Sequence, residues 1–577
     1  MFWAVIGIGI PAFAIALFNA LNQLQPRHDE AQYFILAQEH LINFKQSGIW
    51  EGLKGLYFLR LWKPTAFGLF NLPFLILSNE NLRVAAALLE TTIAITTLSC
   101  TYLIMKRFLS EKKAALVVCF LGFSSWFSQF SHICSAQMPF LAALSLCILL
   151  FIRWQQEKRP QFAIGFFCCA AFSMMLRPIE TATITFIPLL FLCYQSLKAK
   201  NHLRMIAIAT STIISIFLAL PILSNPIKIA LYFLFFLAAA LLIRRKFRSN
   251  PELPELEKSW IVGLLIFCAL VNGWYLLFYD KLFAWAFTGA YSPLIKLFSG
   301  RSTGDHLEFF QRLLRMLFGI PGLLFLTAAL LGLDRSRLKT EVPKMILVGA
   351  TALLPFFLCT FSSNSSHWFA FNGAYIGTLG LGFWALTDKG RFKNFRLAIC
   401  TVVVLYSFQS SSSNFVPQTS SFNGNLFLEK DPAIQLTDDL LNMLKPAEPL
   451  TIGIVPYRGT HNSLFLSLDR FFLQAYANQE KSLLANFDSF DNDDYLETLR
   501  TLLQHCHYLV VGPIGEFEIS NKAIPMSQLA NHLEKTANSS ELKKLGLQYL
   551  GTLPISGLKG ENGRVMIFEN LPRFSKQ

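Results

Sequence analysis

The sequence predicts a multi-pass α-helical membrane protein with about thirteen transmembrane helices, followed by a C-terminal α/β domain outside the cytoplasm. Three observations predict this class. Hydrophobic residues make up 53% of the 577 positions, charged residues make up only 15%, and long apolar runs recur as far as residue 411. A soluble chain is usually about a quarter charged. A spanning helix needs about 20 mostly apolar residues, and this chain has many such runs.

Length and hydropathy identify the individual spans. The run at 2–21 is interpreted as a retained first helix, because no basic residue precedes it and no clear cleavage site follows. The other predicted spans lie near 83–105, 114–133, 138–152, 161–176, 180–197, 203–223, 227–243, 259–279, 314–333, 344–361, 369–387 and 396–411. The segment 65–78 is apolar but short for a span and contains Pro73, so a re-entrant or interfacial helix is expected there.

The distribution of Lys and Arg gives the orientation. The net charge is +14, but it is scattered in short loops between apolar runs, which excludes a nucleic-acid-binding face. Basic loops alternate with the short loops 134–137, 224–226 and 362–368, which contain no Lys or Arg. Short basic loops stay in the cytoplasm. The N-terminus is therefore predicted to be cytoplasmic, and the protein is placed in the plasma (inner) membrane.

Two domains are expected. Residues 1–411 form the transmembrane domain, with long outer loops at 22–82 and 280–313. Residues 412–577 form the extracytoplasmic α/β domain, after a linker rich in Ser, Asn and Thr. Strands are predicted at 450–456, 507–511, 547–554 and 564–569, the last two as a pair, and a helix at 495–506.

Sequence motifs exclude several kinds of site. The eleven cysteines show no CxxC or Cys/His spacing, so neither a disulfide framework nor a zinc site is indicated. There is no Walker motif, no GxGxxG and no Asp-x-Asp in the first outer loop, so a nucleotide-sugar donor is unsupported. We expect no cofactor and no metal, although a divalent cation is not excluded.

Asp29 and Glu30 are the most informative residues. They follow the first span directly and open a segment in which Tyr33, Ala37 and Leu41 have near-helical spacing. A carboxylate at the membrane surface could act as a base toward an acceptor hydroxyl that arrives from outside. The alternative is a favourable interaction of the two carboxylates with a helix dipole.

The same outer loop ends in a second polar group. Arg60 and Lys63-Pro64 precede the short apolar segment, and Arg83 opens the next span. With this layout the sequence resembles the GT-C superfamily of membrane glycosyltransferases, in the branch of the aminoarabinose transferase and the protein O-mannosyltransferases. Members carry an Asp-Glu pair after the first span and a Lys-Pro-Pro-like motif at the end of that loop. Thr65 stands where the second proline is often found.

The resemblance implies an activity and roles for residues. Such enzymes move a hexosyl or pentosyl group from a polyprenyl-phosphate carrier to an acceptor hydroxyl of a lipid, glycan or protein, with inversion. Asp29 would be the base, with Glu30 as the second candidate. Lys63 and Arg60 would hold the lipid phosphate, and Arg177 would make a second phosphate or sugar contact.

Each of these residues also has a possible structural role. Lys63 and Arg60 could be side chains that reach lipid head groups, and Arg177 could pair with Glu180. Glu90, about two turns inside the second span, should face the protein interior, where it either belongs to a site or pairs with a buried polar group. A transporter or lipid flippase is the alternative function, and an envelope scaffold is a third reading.

Overall fold

The computed structural model describes part of the chain. The described ranges are 2–22, 66–79, 81–131, 137–176, 319–332, 370–388, 392–414, 451–456, 483–484, 507–514, 532–554 and 564–571, with single positions between 34 and 48, between 259 and 271, and at 439, 443 and 503. The chain forms two compact units. The first comprises Met1–Leu17, Leu53–Phe67 and Glu90–Ser412, and the second comprises Phe18–Gly52, Gly68–Leu89 and Ser413–Gln577.

Helices dominate the described residues before position 415. The first helical stretch has three parts, namely α1 (Phe2–Ala4), a π-helical turn (Val5–Gly9) and α2 (Ile10–Asn22). The helices that follow are α3 (Ala66–Leu77), α4 (Leu82–Lys106), α5 (Glu111–Gly122), α6 (Ser125–Phe130), α7 (Gln137–Glu157), α8 (Pro160–Leu176), α9 (Gly319–Leu331), α10 (Ala370–Leu386) and α11 (Lys393–Asn414).

Three described helices are long and apolar enough to cross a membrane. They are Phe2–Ala20, Val84–Lys106 and Met138–Glu157, judged by length and composition. Each matches a predicted span. The predicted spans 180–197, 203–223, 227–243 and 344–361 lie outside the described residues, so the number thirteen stays a prediction.

α4 buries polar side chains together with apolar ones and also exposes apolar side chains. Val84 and Leu103 are exposed, whereas the polar residues Glu90, Thr97 and Thr101 are fully buried. The Thr101 hydroxyl lies 3.0 Å from the buried Tyr375 hydroxyl of α10. A helix surrounded by lipid gains nothing by hiding apolar side chains, but it must keep polar groups among polar partners.

Most residues of α5 are buried. Small residues let its neighbours approach closely. A Cβ added at Gly7 would lie 2.9 Å from the Ala115 Cα, and one added at Gly122 would lie 2.5 Å from the Pro11 Cβ. Close packing through small residues is characteristic of helices that associate in lipid. On another side the rings of Phe120 and Phe325 stack 4.3 Å apart.

The predicted span at 114–133 is interrupted. α5 ends at Gly122 and α6 begins at Ser125. Phe123 leaves the helical conformation, with φ −98° and ψ 3°, and the Ser124 hydroxyl donates to the Leu121 carbonyl at 2.6 Å. Serine competes for backbone carbonyls in this way, and hydropathy alone does not register the competition.

Ion pairs join loops that were predicted to share the cytoplasmic side. Arg107, after α4, contacts Glu157 at the end of α7 at 3.1 Å. Lys113, at the start of α5, contacts Asp388 after α10 at 2.8 Å. Trp3 lies below the Lys112 ammonium, 5.7 Å from it. The beginning of the first helix and these loops therefore lie at one end of the helices, as loops on one side of a membrane must.

A buried arginine closes the C-terminal end of α10. The Arg396 side chain, from α11, is fully buried and donates to the carbonyls of Trp384, Ala385 and Thr387 at 3.0, 3.2 and 3.1 Å. The last carbonyls of a helix have no partner inside the helix and carry partial negative charge, so a cation that donates to them is favourable.

The described part of 413–577 contains a five-stranded sheet. Its strands are β1 (Thr451–Pro456), β2 (Leu483–Leu484), β3 (Tyr508–Ile514), β4 (Leu547–Pro554) and β5 (Arg564–Asn570), in the order β2-β1-β3-β5-β4. β1 is parallel to β2 and β3, and β5 is antiparallel to β3 and β4. The predicted pairing of 547–554 with 564–569 is confirmed, with Tyr549 opposite Phe568.

The sheet has a hydrophobic core. Four consecutive residues of β3, from Tyr508 to Val511, are buried, as expected for a central strand covered on both faces. A short helix, α12 (Ser540–Lys544), packs on β4 and buries Leu542. The predicted strands at 450–456 and 507–511 are confirmed by β1 and β3. The boundary predicted between 1–411 and 412–577 stays a prediction.

Candidate functional site

The candidate site begins in the loop after the first span, which is predicted to lie on the outer side of the membrane. Asp29 and Glu30 lie outside the described residues. The segment that follows them is described at several positions and is helical there. Phe34, Ala37 and Leu41 are buried, and their spacing places them on one helical face. The predicted helical spacing of Ala37 and Leu41 is therefore confirmed.

Lys63 and Arg60 also lie outside the described residues. The structure describes what comes next, because α3 begins at Ala66, three positions after Lys63. α3 has 12 residues and contains Pro73, so it is shorter than a span, as predicted for a re-entrant or interfacial helix.

The burial pattern of α3 fits an apolar environment. Its exposed side chains include Ile76 and Leu77, which are 57% and 75% exposed, whereas Asn71 is fully buried. Asn71 shares its face with Gly68 and Leu75, three positions before it and four after it. The helix thus keeps its polar residue inside and presents apolar residues outward.

Three buried polar residues of this loop were not singled out in the sequence. Gln38 is 4% exposed, and His40 and Asn71 are fully buried. Burial lowers the pKa of His40 to about 4, so its imidazole is neutral at physiological pH. Asn71 was detectable in principle, because a polar residue inside an apolar run at a membrane is a functional candidate. The burial of His40 depends on tertiary packing and has no sequence signal.

The remaining candidates are distributed along the chain. Arg177 lies outside the described residues, directly after the last residue of α8. Glu90 is fully buried in α4, which confirms that it faces the interior. Within the described ranges no three His, Cys, Asp or Glu side chains lie close enough together to hold a metal ion. That no metal is needed stays a prediction.

No protein-family model matches the sequence, and no curated protein is significantly similar to it. Comparison with solved structures finds three similar chains, each at 12% identity. The oligosaccharyltransferase of Archaeoglobus fulgidus, solved with zinc and sulfate, aligns with 88% of this chain and 67% of its own, at a TM-score of 0.47. Mycobacterial arabinofuranosyltransferase AftD aligns with 98% of this chain at 0.48. This chain spans only 40% of AftD.

The third structure is ArnT of Cupriavidus metallidurans bound to undecaprenyl phosphate, with a TM-score of 0.37 and 98% of both chains covered. These three proteins are GT-C glycosyltransferases. The motifs of the first outer loop predict a resemblance to the same superfamily, and this resemblance stays a prediction. Because the identity is 12%, no residue role passes from them to this chain.

Proposed function

We propose that this protein is an integral membrane inverting glycosyltransferase. It moves a sugar from a polyprenyl-phosphate carrier to an acceptor hydroxyl on the extracytoplasmic face. The observation that carries the proposal is the joint presence of Asp29-Glu30 and Arg60-Lys63 in one outer loop, directly after the first span and directly before α3.

The reaction needs a base and an anion site. The acceptor oxygen attacks the anomeric carbon, the bond from that carbon to the phosphate oxygen breaks, and the electron pair leaves with the lipid phosphate. The Asp29 carboxylate takes the hydroxyl proton as the new bond forms. A carboxylate in hydrogen-bond reach of that hydroxyl gains most of its interaction in the transition state, which is what accelerates a reaction.

Lys63 and Arg60 hold the phosphate. Both the bound carrier and the leaving group are anionic, and Lys and Arg are the side chains that bind phosphate. The start of α3 adds to this, because the first N–H groups of a helix are free of intrahelical partners and favour an anion. Arg177 is proposed as a second contact to phosphate or sugar.

The acceptor and the location belong to the same proposal. The acceptor is a lipid, a glycan or a protein of the cell envelope, and membrane lipids surround the enzyme. The protein lies in the inner or plasma membrane, and residues 412–577 lie outside the cytoplasm. Neither cofactor nor nucleic acid takes part. The alternative, a transporter or lipid flippase, would use Glu90 as a buried coupling charge.

Sugar transfer by the purified protein tests the proposal. The donors are radiolabelled glucose, galactose, mannose and arabinose, each linked to undecaprenyl phosphate, and the acceptors are lipid, glycan and protein fractions of a cell envelope. We expect one donor to lose its label to an acceptor, with release of undecaprenyl phosphate. Movement of intact lipid across a vesicle membrane, without cleavage of the sugar bond, would instead favour the flippase.

A further inference from the structure

Among the residues of the first outer loop that the structure describes, two fully buried polar side chains have no hydrogen-bond partner. Neither ring nitrogen of His40 and neither polar atom of the Asn71 amide forms a hydrogen bond to any residue that the structure describes. Both side chains have no solvent exposure. Both belong to the same compact unit of the chain.

Such groups are rare because they are unfavourable. The large majority of buried side-chain polar atoms in proteins have a hydrogen-bond partner, so each exception needs an explanation. The Asn71 amide would find no hydrogen-bond partner outside the protein either, because the residues that α3 exposes, such as Ile76 and Leu77, are apolar and face an apolar environment. A buried donor and acceptor in this position are explained when a bound molecule supplies the missing partners.

The chemistry of the two groups selects the molecule. A neutral imidazole offers one donor and one acceptor, and a carboxamide offers two donors and an acceptor oxygen, so each can both donate to and accept from a hydroxyl group. Cations bind phosphate most strongly, whereas burial keeps His40 uncharged by lowering its pKa to about 4. The loop therefore carries two kinds of group, namely the cations Arg60 and Lys63 and the neutral pair His40 and Asn71.

We propose that His40 and Asn71 hydrogen-bond hydroxyl groups of the donor's sugar. This inference rests on the proposed function and adds to it the residues that recognise the sugar, as distinct from the lipid phosphate. A site built to bind hydroxyl groups discriminates strongly, because its buried polar groups are left unpaired when a hydroxyl is absent.

Two lipid probes separate sugar recognition from phosphate recognition. The full-length purified protein is titrated with undecaprenyl phosphate and with the undecaprenyl-phosphate-linked glucose, galactose, mannose and arabinose. We expect the wild-type protein to bind at least one sugar-bearing lipid more tightly than the bare one. His40→Ala and Asn71→Ala should each weaken binding of that sugar-bearing lipid about tenfold or more and leave binding of undecaprenyl phosphate unchanged.

Ser78→Ala is the matched control. Ser78 lies just after α3 and is buried, but its hydroxyl already donates to the Leu75 carbonyl at 3.0 Å. Its loss should leave both affinities unchanged. Equal weakening of both lipids by His40→Ala and Asn71→Ala would overturn the inference, because a purely structural role affects both. Failure of the wild-type protein to bind any of the lipids would instead contradict the proposed function.

Stability gives a readout that does not depend on activity. If Asn71 has no partner in the ligand-free protein, Asn71→Leu should raise its melting temperature, since an apolar residue of similar size replaces an unpaired amide. It should also abolish the preference for the sugar-bearing lipid. A melting temperature lowered as much by Asn71→Leu as by Asn71→Ala would show that the amide is satisfied within the protein, by a residue or a trapped water, and would overturn the inference.

Discussion

Single charged residues are responsible for both the proposed chemistry and part of the packing of this protein. The proposed anion contact is Lys63, which precedes α3 by three positions. A packing contact is Lys113, whose side chain is only 9% exposed and which pairs with Asp388. A lysine at a membrane surface contributes little to folding, whereas a buried one depends on its partner. Substitution of Lys63 should therefore affect substrate binding, whereas loss of the Lys113–Asp388 pair should affect stability.

Lys63→Ala should weaken binding of undecaprenyl phosphate and lower the rate of sugar transfer by about tenfold or more, because a charge-assisted hydrogen bond to phosphate is lost. Expression and melting temperature should be unaffected. Lys45→Ala is the control, since Lys45 lies in the same loop and is exposed. Transfer at the wild-type rate by Lys63→Ala would mean that the lysine only anchors the loop to lipid head groups.

Asp388→Asn should lower the melting temperature, because it removes the carboxylate that pairs with the nearly buried Lys113. Since Asp388 is itself largely exposed, the free energy of unfolding should fall by an amount on the order of 1 kcal/mol, between the values for exposed and buried ion pairs. Lys393→Ala, which removes an exposed partner of the same carboxylate, should cost less.

The same pair predicts a pH dependence. Hydrogen bonds from Lys113 and Lys393 lower the pKa of Asp388 from 3.8 to about 2. A carboxyl group whose pKa is lower in the folded than in the unfolded protein stabilises the fold at every pH above its unfolded pKa. This stabilisation is lost as the pH falls from about 4 toward 2. Melting curves of wild type and Asp388→Asn should therefore converge at the acid end. A difference that stays constant down to pH 2 would contradict this contact.

At the scale of helices and strands, the sequence predicts most of what the structure describes. The span predicted at 83–105 corresponds to α4, Leu82–Lys106, because hydropathy is a strong signal over a whole helix. The β4–β5 pair follows from two apolar runs around a Gly-rich turn. The break after Gly122 depends on one serine hydroxyl, and β2 has only two residues, so neither produces a periodic pattern.

Contacts between distant parts of the chain cannot be predicted from the sequence alone. Lys113 and Asp388 are 275 positions apart, and the charge pattern predicts only that their loops share a side. The candidate site divides in the same way. Asp29 and Lys63 are conspicuous because charge is rare in this chain, whereas His40 becomes a candidate only once its burial is known.

The hydrogen bonds from Arg396 to the end of α10 leave no room for a side chain at Gly332. A Cβ added there would lie 2.2 Å from the Trp384 carbonyl oxygen and 2.5 Å from Arg396 Nη1. Gly332→Ala must displace the arginine from the end of α10 and should cost about 1–3 kcal/mol of stability. The measurement is thermal melting in detergent.

Gly380→Ala is the matched control, because a Cβ at this helical position meets nothing within 4 Å. Alanine is preferred to glycine inside a helix by about 0.5–1 kcal/mol, so this variant should melt at the same or a higher temperature. If Gly332→Ala melts no lower than Gly380→Ala, the contact at the end of α10 does not matter for stability.

For the whole molecule, the proposed reaction requires a defined orientation in the membrane. Basic loops that alternate with loops free of Lys and Arg predict a cytoplasmic N-terminus. The contacts Lys112–Trp3 and Lys113–Asp388 place the first helix and two of the basic loops at one end. Which side of the membrane that end faces is a prediction.

Reporter fusions test the orientation. A reporter fused after Lys389 should report the cytoplasm, and one fused after Pro417 should report the opposite side, because α11 lies between these positions. A fusion after Lys158, in another basic loop, should agree with the one after Lys389. Identical readings after Lys389 and Pro417 would show that α11 does not cross the membrane.

The initial rate of sugar transfer by Asp29→Asn is the most direct test of the central claim, that the first outer loop is the active site of a lipid-dependent glycosyltransferase. The substitution keeps the shape of the side chain and removes its charge. General-base assistance contributes about 10²–10⁴-fold, so the rate should fall at least a hundredfold at an unchanged melting temperature. Glu30→Gln should lower the rate less, because Asp29 is the proposed base and Glu30 is only the second candidate. Near-normal transfer by both variants would contradict the account.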